Sequence, residues 1–152
     1  MIGYFLGVGI RGSDQTFTTA QPATSFTSWA EIYFTPTELQ DANVSGPNAI
    51  FGSDGLTNLI KYALGLDPTL DAVSGLPETS VVATDWVYTY TRPADRPDLS
   101  YAVEVSTNLT SWTTTGVAME LVTSSGANET WRAKYPLASA ANVFFRLKVT
   151  QN

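Results

Sequence analysis

From residue 79 onward, apolar and polar residues alternate with a period of two. Trp86, Tyr88 and Tyr90 fall on one face, with Val87, Thr89 and Thr91 opposite. Tyr101, Val103 and Val105 alternate with Ala102, Glu104 and Ser106. Near the end of the chain, Val143, Phe145, Leu147 and Val149 face one way, and Phe144, Arg146, Lys148 and Thr150 the other. Residues 117–123 and 129–135 read as further strands. Such alternation marks strands with one face on a core. Turn-forming clusters at residues 93–98, 108–111, 124–128 and 136–141 separate them. Short strands at this spacing predict a mainly β fold, an antiparallel sandwich or barrel, and we take the β-sandwich as the expectation.

The amino-terminal half has a different rhythm and predicts a small helical portion. Ser28 and Glu31 have the spacing of a capping box, as do Thr35 and Glu38 with Pro36 at the first helical position. They predict short helices at about residues 28–34 and 36–42, with a turn at Ser45, Gly46 and Pro47. A third helix is expected over about 55–64, because Leu56, Leu59, Ile60, Ala63 and Leu64 share one face. Asp54 lies near its amino end, where negative charge is favourable. Gly65 sits where a left-handed residue ends a helix, Leu66 can pack back, and Pro68 prevents resumption. Residues 25–152 are therefore read as one β-sandwich domain. Residues 1–24 are read as a glycine-rich strand followed by a linker.

Within that leading segment, Tyr4, Phe5, Leu6, Val8 and Ile10 are apolar, and Gly3, Gly7, Gly9 and Gly12 disfavour a helix. The run lacks a preceding positive residue and a small-x-small cleavage pattern, so it is not a typical signal peptide. It is also too short to cross a bilayer as a helix, which takes about 20 apolar residues. Gly7, Gly9 and Gly12 formally match a dinucleotide fingerprint, but residues 13–24 form a Thr- and Pro-bearing linker where that motif needs a helix. A lone strand is unstable. It is expected to pair with its own sheet, or with the edge of another copy's, which would give an oligomer or polymer.

Composition removes several chemistries. The 152-residue chain has no cysteine and no histidine, which excludes disulfides, thiolate or imidazole zinc sites and His-based triads. A net charge of −6 opposes nucleic-acid binding and attraction to anionic membranes. Asp95, Asp98 and Glu104 are carboxylates near Arg92 and Arg96, and salt bridging explains them better than acid-base work. No feature supplies the two carboxylates at defined separation that glycoside hydrolysis needs, so no enzyme is expected. The exposed aromatics offer an alternative role. Trp86, Tyr88 and Trp112 would form a surface for polysaccharide if their faces were open, and part of the core if covered.

The segment with most chemical outline is Asp54-Gly55-Leu56-Thr57-Asn58-Leu59, continuing to Tyr62-Ala63-Leu64-Gly65-Leu66-Asp67-Pro68. An EF-hand-type loop with Gly55 at its sixth position would place ligands at Ile50, Gly52, Asp54, Asn58 and Lys61. Only Asp54 and Asn58 carry side-chain oxygen, and Lys61 puts an ammonium where a bidentate carboxylate belongs. The expectation is a structural turn and helix cap with no metal and no cofactor. The minority reading is a weak cation site borrowing Asp67 or backbone carbonyls.

This segment, with Tyr90-Thr91-Arg92-Pro93-Ala94-Asp95, Tyr101-Ala102-Val103-Glu104-Val105, Asn108-Leu109-Thr110-Ser111-Trp112 and the closing Phe144-Phe145-Arg146-Leu147-Lys148-Val149, resembles carboxy-terminal β-rich modules of large secreted bacterial proteins. The resemblance covers roughly residues 26–150. It implies an extracellular or cell-surface module with a calcium-loop-like helix, and it brings no established activity. The chain departs from the pattern at Ile50, Gly52 and Lys61. On this reading it is a non-enzymatic structural module, a fibre or surface-layer subunit linked by its amino-terminal strand. The alternative is a carbohydrate- or surface-binding module.

Overall fold

The computed structural model describes residues 25–72 and 74–152. The apolar run Tyr4, Phe5, Leu6, Val8 and Ile10 lies outside the described residues. The described chain opens with helix α1 (Phe26–Tyr33), a 3-10 turn (Glu38–Gln40) and helix α2 (Asn58–Leu64). Six strands follow: β1 (Glu78–Val82), β2 (Asp85–Pro93), β3 (Leu99–Ser106), β4 (Ala118–Ser125), β5 (Asn128–Pro136) and β6 (Phe144–Gln151). The fold is mainly β and sandwich-like, with every strand pair antiparallel. No described helix is long and apolar enough to cross a membrane.

Helix α1 begins earlier than the Ser28 capping box predicts. Its cap is Ser25, whose hydroxyl accepts from the Ser28 N–H while the Ser28 hydroxyl accepts from the Ser25 N–H. The earlier start lets Phe26 join Trp29, Phe34 and Tyr62 in an aromatic core. It also lets the Phe26 N–H donate to Asp98, 2.8 Å away. The Thr35–Glu38 box forms as expected, with Glu38 accepting from the Thr35 N–H at 2.7 Å, but it supports only a single 3-10 turn. Helix α2 starts at a Thr57 cap and ends as predicted at Gly65 (φ 70°). There the Leu66 N–H donates to the Lys61 carbonyl and the Gly65 N–H to the Tyr62 carbonyl, a Schellman ending.

The strands form a four-stranded sheet, ordered β1-β2-β5-β4, and a two-stranded sheet, β3-β6. Tyr88 and Tyr90 of β2 and Trp131 and Ala133 of β5 pack against Val103, Phe145 and Leu147 of the smaller sheet. Leu64 of α2 belongs to this second core, and Tyr101 touches both cores, which ties the helices to the sandwich. The register sets Met119 and Leu121 beside Ala133 and Trp131, on the inner face. Among the described residues two strands lie over four, none covers that flank, and Met119 and Leu121 are 43% and 45% exposed despite facing inward.

Candidate functional site

Helix α2 and the chain on either side of it form a closed knot of polar groups. Asn58 is fully buried, and its side-chain amide donates to the carbonyls of Val44 (2.9 Å) and Gly46 (3.0 Å). These two bonds anchor the approach to the loop. One turn later, Lys61 is also fully buried and directs its ammonium into the loop. Nζ lies 2.8 Å from Asp54 Oδ2, 3.0 Å from the Leu70 carbonyl, and 3.2 Å from those of Phe51 and Pro68.

Four oxygens from both sides of the helix thus converge on one cation, and that cation belongs to the chain. The Asp54 carboxylate also accepts the N–H groups of Leu56 (3.0 Å) and Ala72 (2.9 Å). The Lys61 hydrogen bond, followed by these two, lowers its pKa to about 2. Asp71 closes the outside of the loop by accepting from the N–H and hydroxyl of Ser53, and the Ser53 hydroxyl bond leads the causes that lower its pKa. Asp67 takes no part in the cage; it accepts from the N–H and hydroxyl of Thr69. Gly52 is needed here: its φ is +116°, and a Cβ would lie 2.9 Å from Asp71 Oδ1 and 3.6 Å from the Lys61 ammonium. Ile50, the other departure from a calcium pattern, is half exposed. Among the described residues, no group of three or more acidic side chains is placed to hold a metal.

The predicted aromatic surface does not assemble. Tyr88 is in the core, stacked on Phe145 with centroids 5.5 Å apart, and burial pushes its hydroxyl up to about 12. Trp86 is half-buried and its indole N–H donates to the Ala140 carbonyl. Trp112 lies elsewhere, capped by the Arg146 guanidinium at 4.3 Å, and Arg146 in turn pairs with Glu104. The three rings share no surface, because the alternation that groups Trp86 with Tyr88 turns both toward the core.

The sequence reading missed a cluster at the uncovered flank. Arg92 lies over Tyr101 (4.2 Å) and Trp131 (5.4 Å) and pairs with Glu129 at 3.1 Å. The Trp131 indole N–H donates to the same carboxylate at 2.9 Å. Arg92 therefore serves none of the three carboxylates considered with it. Asp95 pairs with Arg96, Glu104 with Arg146 and Lys148, and Asp98 accepts the Tyr62 hydroxyl and the Phe26 N–H. The available signal was the cross-strand pair Arg92–Glu129, legible only once the register of β2 on β5 is known. Beside this cluster is a cleft of about 360 Å³, lined among others by Tyr90, Leu99, Tyr101, Met119 and Trp131.

No family model, curated protein or solved structure matches this chain.

Proposed function

We propose that this chain is an extracellular, non-enzymatic structural module that assembles with copies of itself through its amino-terminal strand. The observation that carries this reading is the mismatch between layers, two strands over four, which leaves inward-facing Met119 and Leu121 open. An inner face that no described strand covers favours addition of one, and residues 4–10 supply an apolar, uncharged sequence that suits a strand. The extracellular placement rests on the resemblance over residues 26–150 to modules of secreted proteins.

The test is the mass of the full chain by light scattering over a range of concentrations, with negative-stain microscopy. Wild type is expected to form oligomers or filaments. The double variant Leu6→Asp, Val8→Asp is expected to remain monomeric. A wild-type monomer at every concentration overturns the reading. Antibody labelling of intact source cells tests the location, and labelling only after lysis would overturn it.

A further inference from the structure

The geometry points to the cleft between β3 and the inner face of β4 as the seat for residues 4–10 of a neighbouring copy. This inference rests on the self-assembly reading and names its acceptor. Val105 exchanges both backbone hydrogen bonds with Thr113, at 2.9 and 3.0 Å, so its peptide groups point away from β6. Peptide groups alternate between the two edges of a strand. Tyr101 and Val103 therefore turn their N–H and C=O groups to the same edge as Val105. Among the described residues, no backbone partner meets them there. The free edge runs from Tyr101 to the Thr113 bridge at Val105, about 14 Å at 3.4 Å per residue. Beneath it is the cleft, with Met119 and Trp131 in its lining. A strand added here would make the small sheet three strands wide and cover the open flank.

Residues 4–10 have the pattern such a seat requires. In an extended strand, Tyr4, Leu6, Val8 and Ile10 share one face, and Phe5, Gly7 and Gly9 the other. An apolar face would lie against Tyr90, Met119 and Trp131 in the floor, and a face of mostly glycine would meet solvent. Arg92 also lines the cleft, and its guanidinium is already paired with Glu129, so a strand that covered it would leave no ion without a partner. The position of the described chain's start supports the same occupant. The Phe26 N–H is bonded to Asp98, the residue before β3 begins, so the described chain begins beside the mouth of the cleft. The fourteen residues 11–24 reach at most about 50 Å, which is enough to enter the cleft of an adjacent copy.

Hydrogen exchange on the full chain, read at the Tyr101 and Val103 amides alongside the mass measurement, tests the seat. In assembled wild type both amides should exchange at least about tenfold more slowly than in Leu6→Asp, Val8→Asp. The variant Met119→Glu, Leu121→Glu should also lose assembly and protection while keeping its circular dichroism, because both side chains are already partly exposed. Assembly that survives this second variant, with no difference in exchange at Tyr101 and Val103, overturns the cleft and leaves self-assembly standing. A monomer whose two amides lose protection in the Leu6→Asp, Val8→Asp variant puts the strand in its own cleft and overturns donation between copies. A monomer with no such difference overturns both readings.

Discussion

A buried ammonium is tolerable only where oxygens replace its water and a carboxylate balances its charge. Lys61 meets both conditions, with Asp54 and three carbonyls around Nζ. Its role follows from that geometry: it is a tethered cation that ties the chain before α2 to the chain after it. Replacing Lys61 with Met would strand a nearly buried carboxylate and three carbonyls, and is expected to cost about 3–5 kcal/mol in urea denaturation. Because the cage is already filled, calcium should not raise the melting temperature of the wild-type chain, nor a chelator lower it. A clear shift in either would show that metal competes with Nζ. The Asp54 carboxyl has a folded pKa of about 2, below the ordinary value near 3.9. Its contribution is therefore fully present above about pH 4 and is lost as pH falls toward 2. Asp54→Asn should lower stability at pH 7 and flatten that acid limb, as read from urea midpoints between pH 2 and pH 5.

Helix α2 is held by its ends as much as by its buried face, and the two glycines flanking it separate two effects. Gly65 and Gly55 both have positive φ, 70° and 74°. A Cβ on Gly65 would lie 2.9 Å from Pro93 Cγ, whereas one on Gly55 would meet nothing within 4 Å. Alanine at either position incurs the left-handed cost of about 1–2 kcal/mol. Gly65→Ala should lose more, and the difference in urea stability reports the contact with β2. Equal losses would mean that Pro93 gives way freely. The helix end was legible in the sequence because glycine, a following leucine and a proline are side-chain signals of a backbone event. The start of α1 was not, because Ser25–Ser28 and Ser28–Glu31 have the same three-residue spacing. Contacts with Asp98 and Tyr62, far along the chain, support the earlier start. The faces of β2, β3 and β6 were legible by alternation, but the number of strands covering them was not. The Lys61 cage was visible only as a departure at one position, since three of its four oxygens are carbonyls that no side chain marks.

At the scale of the whole molecule, any association must overcome net charge. With 8 basic and 14 acidic residues, each copy carries −6 at pH 7, and two copies repel at long range. The proposed contact is made of backbone hydrogen bonds and apolar side chains, neither of which salt screens strongly. Screening should remove the repulsion and leave the contact, since the Debye length shrinks to about 10 Å at 0.1 M salt. Association measured by sedimentation velocity should therefore strengthen from about 20 to about 300 mM sodium chloride. It should also strengthen as pH falls from 7 toward the isoelectric point of about 4.4. The fold should survive that second change, because Asp54 stays ionised until pH approaches 2. An interface built from ion pairs between copies would weaken with salt. Dissociation at 300 mM would therefore exclude strand donation into this cleft as the force that joins the copies.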